Sequence, residues 1–170
     1  IDLRNQGETR WDTSNIHPDH DAARGALWLG RTMFGDRVQD ILALRDALAD
    51  GRRGQAFELL AWGEPALAAL AAAALSAEFA RVTVSGLLST YVVTDSVPVQ
   101  GMSIAVPGML RWGDVSLLAA LVPCSVAVCA PVTPAGNALT QPELAAWRKD
   151  ARALAKRLRM PGKIDVRPDA

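Results

Sequence analysis

The chain has 170 residues, half of them hydrophobic, and its 18 basic and 18 acidic side chains give a formal net charge of zero. This length predicts a single domain over 1–170, and the hydrophobic content excludes an intrinsically disordered chain. The balanced charge argues against a nucleic-acid partner, because phosphate binding needs a surplus or a stripe of basic residues. The longest apolar run, 65–75, is shorter than the ~20 residues of a membrane helix, so we expect no membrane span.

The first third of the chain is expected to be a strand end, a polar segment and a helix. The chain opens at Ile1 without the pattern of a signal peptide, which leads us to expect a processed chain or a piece of a longer one. Residues 1–3 resemble the end of a strand, and a polar segment follows to about Asp21. From Asp36, a plausible N-cap, apolar residues at helical spacing predict a helix that ends before Gly51: Val38, Ile41, Leu42 and Leu48.

The middle of the chain predicts a buried strand that turns sharply into a helix. The strand covers 57–61, and Trp62-Gly63-Glu64 forms the turn. Pro65 opens the helix at its first position, and the helix continues to Ala77. This helix is mostly alanine and apolar on all sides, so other elements must cover most of its surface.

The remaining elements alternate in the same way. A β-branched strand over 81–85 is followed by a long connection from Gly86 to Gly113. Asp114 caps a short helix over 115–121, and the next strand covers 125–130. Thr140 and Glu143 form a capping box for a helix to about Arg159, and a last strand covers 163–166.

This alternation predicts an α/β fold in three layers, with a mostly parallel sheet of about five strands and helices on both faces. In such folds ligands bind at the carboxyl ends of the strands. The strand end at 61–65 has the strand, sharp turn and helix of a nucleophile elbow, with Gly63 at the apex. Neither this frame nor a shift by one or two residues offers Ser, Cys or Thr.

Several segments, in order, resemble the α/β-hydrolase superfamily and its acetyl-xylan-esterase-like branch. They are Asp2-Leu3-Arg4 with Gly7-Glu8-Thr9, the run from Gly30 to Leu42, the turn at Gly63 with its alanine-rich helix, the run from Ser85 to Tyr91, and the run from Val106 to Arg111. The resemblance implies a partial α/β-hydrolase fold, its C-terminal part. It also implies a Ser-Asp-His triad, with the acid after strand 125–130 and the histidine after the last strand.

The triad positions that the resemblance implies are degenerate. Gly63 stands at the serine position, Thr133 at the acid position, and no histidine follows His20. We therefore expect a non-catalytic hydrolase-like module, a decayed esterase with no catalytic residue, no metal and no cofactor. Its role would be structural or binding, within a larger protein or assembly. The alternative is an active carboxylic-ester hydrolase, a carbohydrate acetyl esterase, whose missing catalytic residues lie on another chain or segment.

A relic elbow makes geometric predictions at Gly63. Glycine relieves the strain of this turn, so Gly63 is expected to have a positive φ at the end of the central strand. We expect Trp62, Gly63 and Glu64 to bind any ligand, such as a carbohydrate ester, in a pocket walled by Trp62 and the loop 131–136. The partner is expected to be the rest of the polypeptide or further copies of this chain, because apolar faces at Ile41, Leu42 and the alanine-rich helix would otherwise be exposed.

Other candidate groups have simpler interpretations. His17 and His20, with Asp19 and Asp21, resemble a metal site only loosely, and a solvated loop is the better interpretation. The five tryptophans are expected to pack in the core rather than to stack on carbohydrate, and only Trp62, beside the expected pocket, is a candidate for ligand contact. Asp95 and Asp114 are acids near the expected site, and Asp114 is explained as a helix cap. The late basic residues are expected to form a solvated helix face: Arg148, Lys149, Arg152, Lys156, Arg157 and Arg159.

Overall fold

A computed structural model describes residues 1–10, 18–50, 56–93 and 101–169, without the side chains of residues 18 and 19. The helices described are α1 (Pro18–Trp28), α2 (Met33–Ala49), α3 (Glu64–Leu75), α4 (Val115–Leu121) and α5 (Gln141–Leu158). The strands described are β1 (Phe57–Trp62), β2 (Phe79–Ser85), β3 (Ser125–Cys129) and β4 (Ile164–Arg167). Short 3₁₀ turns lie at Gly7–Thr9, Met102–Ile104 and Met109–Arg111.

The four described strands form one parallel sheet in the order β1-β2-β3-β4. A row of paired residues crosses the sheet from Ala61 to Val84, Val128 and Val166. The α/β class and the parallel sheet are therefore confirmed, and the packing of helices on the sheet is consistent with three layers.

The expected strand at residues 1–3 is wrong, so the described sheet has four strands rather than five. The carbonyl of Leu3 accepts hydrogen bonds from the backbone of Gln6 at 3.0 Å and from the hydroxyl of Thr9 at 2.7 Å. The Leu3 carbonyl is therefore bonded within the polar turn, where a strand would have paired it with a neighbouring strand. The Leu3 side chain is nevertheless buried in the main core.

The alanine-rich helix lies at the centre of the molecule. α3 packs against β1 and β2, and α2 and α4 pack against α3. Its residues 66–73 are all buried, as the apolar sequence on every side required. The small alanine side chains allow sheet and helices to approach α3 closely. The expected exposure of this helix is wrong, and so is that of Ile41, which is buried, and of Leu42, which packs against the core.

The two sides of the sheet differ in exposure. One row of side chains is buried against α3 and its neighbours: Val82, Val84, Val126, Val128, Ile164 and Val166. On the alternate positions of β1, Leu60 is 53% exposed and Trp62 is 64% exposed. These alternate positions pair with Thr83 and Ser85 of β2, which are half-buried. Within the described residues, the apolar side chains of Leu60 and Trp62 on β1 are therefore left uncovered.

Helix starts agree with the sequence at α4 and α5 but not at α2. Asp114 caps α4 through the backbone of Val115 at 2.8 Å, and the capping box of Thr140 and Glu143 forms as predicted. α2 begins at Met33, because the Thr32 hydroxyl accepts a hydrogen bond from Gly35 at 2.9 Å. The prediction of Asp36 as N-cap is therefore wrong.

Within the described residues, no single helix is long and apolar enough to cross a membrane. Two segments bent by 84° at their junction, Met102–Arg111 and Val115–Leu121, reach that length and composition together. The second of these, α4, packs against α3 and α5.

Candidate functional site

The turn between β1 and α3 is built around Gly63. β1 ends at Trp62, α3 begins at Glu64, and Gly63 between them has φ 64° and ψ −136°. The amide of Gly63 donates to the carbonyl of Ser85 at 2.8 Å, which ties the turn to the end of β2. The predicted positive φ is confirmed, and it explains why a glycine stands at this position.

The surroundings of Gly63 differ from the expectation. β1 is at the edge of the described sheet, so the prediction that Gly63 follows the central strand is wrong. A Cβ at Gly63 would meet no described atom within 4 Å, and Gly86 at the end of β2 lies beside it. Within the described residues, the turn is therefore open on the side where a Cβ at position 63 would project.

Glu64 holds several elements together at the start of α3. Its Oε2 accepts hydrogen bonds from the Ser103 hydroxyl at 3.0 Å and from Arg37 Nη1 at 3.2 Å. Gln6 Nε2 donates to the same oxygen at 3.3 Å, and the Gly101 amide donates to Oε1 at 3.3 Å. The Arg37 side chain is only 2% exposed, so this carboxylate compensates a buried charge. These contacts give Glu64 a structural role, and no feature of the sequence indicated it.

A cavity of about 680 Å³ lies beyond the ends of β2 and β3. Part of its lining comes from the loops after these strands: Ser89, Thr90, Val92, Thr133, Pro134, Ala135, Asn137 and Leu139. The rest is one face of α5: Glu143, Ala146, Trp147 and Asp150. Trp62, Gly63 and Glu64 do not line this cavity, so the expected pocket between Trp62 and the loop 131–136 is a different place and stays a prediction.

Of the two residues that the resemblance assigned to triad positions, Gly63 and Thr133, only Thr133 lines this cavity. It begins a tight turn in which its carbonyl accepts from the Gly136 amide at 2.8 Å. Its hydroxyl accepts from the Asn137 amide at 3.2 Å. Thr133 thus shapes the rim of the cavity through its backbone and hydroxyl.

Trp147 fixes the opposite wall. Its indole Nε1 donates to the carbonyl of the buried Ser89 at 2.8 Å, which orients the ring against the loop after β2. A smaller hollow of about 220 Å³ adjoins the cavity and shares Thr90 and Pro134 with it. The sequence had indicated the loop 131–136 as a pocket wall but not α5. The signal for α5 was the spacing of residues 143, 146, 147 and 150, which is that of one helix face.

Acidic and phenolic groups near the cavity are held by hydrogen bonds. The hydroxyl and the backbone amide of Thr140 both donate to Glu143, and these bonds lower the pKa of its carboxyl. Burial, with the nearby Asp114 carboxylate, raises the pKa of Tyr91, whose hydroxyl donates to the Ile104 carbonyl at 2.7 Å. Asp114 also accepts from the Thr90 hydroxyl and the Tyr91 amide. It therefore anchors the loop after β2 in addition to capping α4.

The remaining candidate groups are distributed over the molecule. His17, Asp95 and Trp11 lie outside the described residues, as does the side chain of Asp19. His20 and Asp21 are in α1, so the expected loop is wrong at these two residues. The described part of the chain holds no group of three His, Cys, Asp or Glu residues that could bind a metal. The expected core position is wrong for Trp28, Trp62 and Trp112, which are 77%, 64% and 85% exposed. Trp28 instead stacks with Arg24, at 5.0 Å from the guanidinium carbon to the ring centre.

The basic face of α5 is only partly solvated. Arg148 donates to the carbonyl of Val166 at 2.5 Å, and Arg152 donates to that of Ile164 at 2.8 Å, so both bind β4. Only Arg148 of the six is half-buried, and the other five are exposed: Lys149, Arg152, Lys156, Arg157 and Arg159.

No protein-family model, no curated protein and no solved structure matches this chain.

Proposed function

We propose that this chain is a non-catalytic α/β-hydrolase-like module, related to acetyl-xylan esterases, with a structural or binding role in a larger protein or assembly. The observation that carries the proposal is Gly63. It stands between a parallel strand and a helix with a positive φ, where a hydrolase of this fold would hold its nucleophile. Residues 61–65 contain no Ser, Cys or Thr.

The positions of the histidines support the same proposal, because the resemblance places the catalytic histidine after the last strand and none follows His20. The two histidines of the chain are at positions 17 and 20, and α1, which contains His20, precedes the whole sheet. A serine nucleophile needs a histidine within hydrogen-bonding distance to accept its proton. The alternative, an active carboxylic-ester hydrolase, requires that another chain or segment supplies these groups.

The open sheet surface at Leu60 and Trp62 supports a role in association. Exposed large apolar side chains that lie together on a surface are typical of contact sites with other proteins or segments. The partner class that we propose is a further copy of this chain or another part of its own polypeptide.

The first test of this proposal is hydrolysis of p-nitrophenyl acetate. We expect no rate above that of the heat-denatured protein, for the wild type and for Gly63→Ser alike, because triad members act as a unit. A saturable rate abolished by a serine-directed phosphonate would instead support the esterase alternative.

A further inference from the structure

We propose that the cavity between α5 and the loops after β2 and β3 binds an organic cation with an apolar body, of the class of the aliphatic amines. This site lies apart from the turn at Gly63 and does not depend on a hydrolase ancestry. Its volume of about 680 Å³ is within the range of about 300–1,000 Å³ that small-molecule sites occupy.

The walls of the cavity are apolar on both sides. Trp147 and Ala146 of α5 face Pro134, Ala135 and Leu139 of the loop after β3. The hydrogen bond from Trp147 to Ser89 holds the indole ring in place, so a ligand would meet a fixed aromatic surface. A chain of methylene groups packed there would be removed from water on two sides.

The charge of the cavity selects the ligand. Glu143 and Asp150 are its two charged lining residues, and neither Lys nor Arg is among the described residues that line it. Two basic residues lie between Trp147 and Asp150 in sequence. Arg148 donates to the Val166 carbonyl on the side of β4, and Lys149 is exposed and is not among the lining residues. A carboxylate or phosphate ligand would therefore meet only negative charge, whereas an ammonium group would be attracted.

Each carboxylate is oriented by a bond that engages one of its oxygens. Thr140 donates to Oε2 of Glu143, and the Ser116 hydroxyl donates to Oδ2 of Asp150 at 2.6 Å. The two residues are seven positions apart on α5, which separates them by about 10 Å along the helix, on either side of Ala146 and Trp147. An ammonium group can thus reach a carboxylate while its apolar body lies on Trp147, a geometry that also permits a cation–π contact.

The test compares three six-carbon probes with the same apolar chain: hexylamine, hexanol and hexanoate. Binding to the full chain is measured at pH 7 by NMR titration, following the indole N–H signal that is lost in Trp147→Phe. We expect hexylamine to bind more tightly than hexanol by about twofold to fivefold, the range of an exposed ion pair, because Glu143 and Asp150 are both exposed. Hexanoate should bind most weakly. We also expect salt to reduce the advantage of the amine.

Conservative variants remove the charge of each carboxylate while preserving the fold. Glu143→Gln keeps the capping box, and Asp150→Asn keeps an acceptor for Ser116. Each is expected to weaken hexylamine binding about twofold to fivefold and to leave hexanol binding unchanged. Glu58→Gln, an exposed acid on β1 away from the cavity, is the control and should change neither. Ala146→Phe fills the cavity from an exposed helix position and is expected to abolish binding of both probes.

Equal binding of hexylamine and hexanol would overturn the proposal, as would unchanged hexylamine binding in both charge variants. So would a Trp147 signal that no amine shifts. These results are independent of the hydrolysis assay, so failure of the cation site and failure of the proposed function can be told apart.

Discussion

Single residues decide how the first strand joins the alanine-rich helix. Gly63 supplies the one backbone conformation that lets the chain leave β1 at Trp62 and enter α3 at Glu64. Glu64 then connects that helix to Arg37 of α2, to Gln6 and to the segment at 101–103. Two adjacent residues therefore perform different tasks, one through its backbone and the other through its charge.

Gly63→Ala is expected to lower the free energy of unfolding by about 1 kcal/mol or more, because alanine resists a positive φ. The added methyl group would meet no described atom within 4 Å, so the loss would come from the backbone alone. Urea unfolding measures it. Gly25→Ala is the matched control, since Gly25 is in α1, has no positive φ and is equally open. Gly25→Ala should be neutral or should stabilise the protein by up to about 1 kcal/mol. A similar loss of stability in both variants would contradict the explanation by the positive φ of Gly63.

Glu64→Gln is expected to destabilise the protein by about 2 kcal/mol, because the buried guanidinium of Arg37 loses the opposite charge of Glu64. The shape of the side chain is kept, so packing should not change. Glu58→Gln, at an exposed position, should stay within about 0.5 kcal/mol of the wild type in the same unfolding experiment. Equal stability of the two variants would show that Glu64 is not needed to compensate Arg37.

At the scale of elements, the segment before α1 is attached to α2 by an ion pair. Arg4 Nε donates to Asp40 Oδ2 at 2.7 Å, and Arg4 also lies 3.5 Å from Asp36. The hydrogen bond from Arg4 lowers the pKa of the Asp40 carboxyl, against a smaller opposing effect of burial. This contact joins residues 36 positions apart in sequence. Leu3, in the same segment, packs in the main core and attaches the segment as well.

The Arg4–Asp40 pair predicts a pH dependence of stability. The folded pKa of Asp40 is below its unfolded value of about 3.9, so its stabilisation is present above that pH and is lost as the pH falls through the folded pKa. Asp40→Asn should cost at most about 1 kcal/mol at pH 7, since Arg4 is 42% exposed. Unfolding curves are measured from pH 7 to pH 2. The difference in the free energy of unfolding between the wild type and Asp40→Asn should shrink below about pH 4. A difference that stays constant would contradict this pairing.

At the scale of the whole molecule, the sheet is covered unevenly. Valines and Ile164 pack under the helices, while Leu60 and Trp62 remain exposed on β1. The apolar faces that the sequence led us to expect at Ile41 and α3 are internal. Association, if the proposed role is correct, should therefore use the sheet surface rather than the helices.

We predict that the chain is stable only in association and that Leu60 and Trp62 take part in the contact. Light scattering over a range of concentrations should give a mass above that of one chain. The double variant Leu60→Lys, Trp62→Lys should lower the measured mass toward that of one chain. Lysine at these exposed positions leaves the strand intact but opposes its burial in a contact with another chain. Lysine at Leu75, which is 73% exposed on α3, is the control. A wild-type monomer with a sharp cooperative melt would contradict the prediction.

Local sequence patterns predicted most elements correctly. Three of these patterns act through neighbours within a few residues, so their effect is visible in sequence. They are the cap at Asp114, the capping box at Thr140 and Pro65 in the first turn of α3. The wrong N-cap of α2 is an error between two local alternatives. Thr32 caps the helix through the amide of Gly35, whereas the Asp36 carboxylate pairs with Arg31 and with the distant Arg4.

The sequence by itself determined the alternation of strands and helices, the glycine turn at 63 and the absence of a serine, cysteine or threonine there, because these depend on local spacing and residue type. Only the tertiary structure decided which surfaces are open. The exposure of Trp62, the burial of Ile41 and the cavity between Trp147 and Thr133 arise where segments distant in sequence meet. Such contacts depend on how the elements pack, and no local pattern specifies that packing.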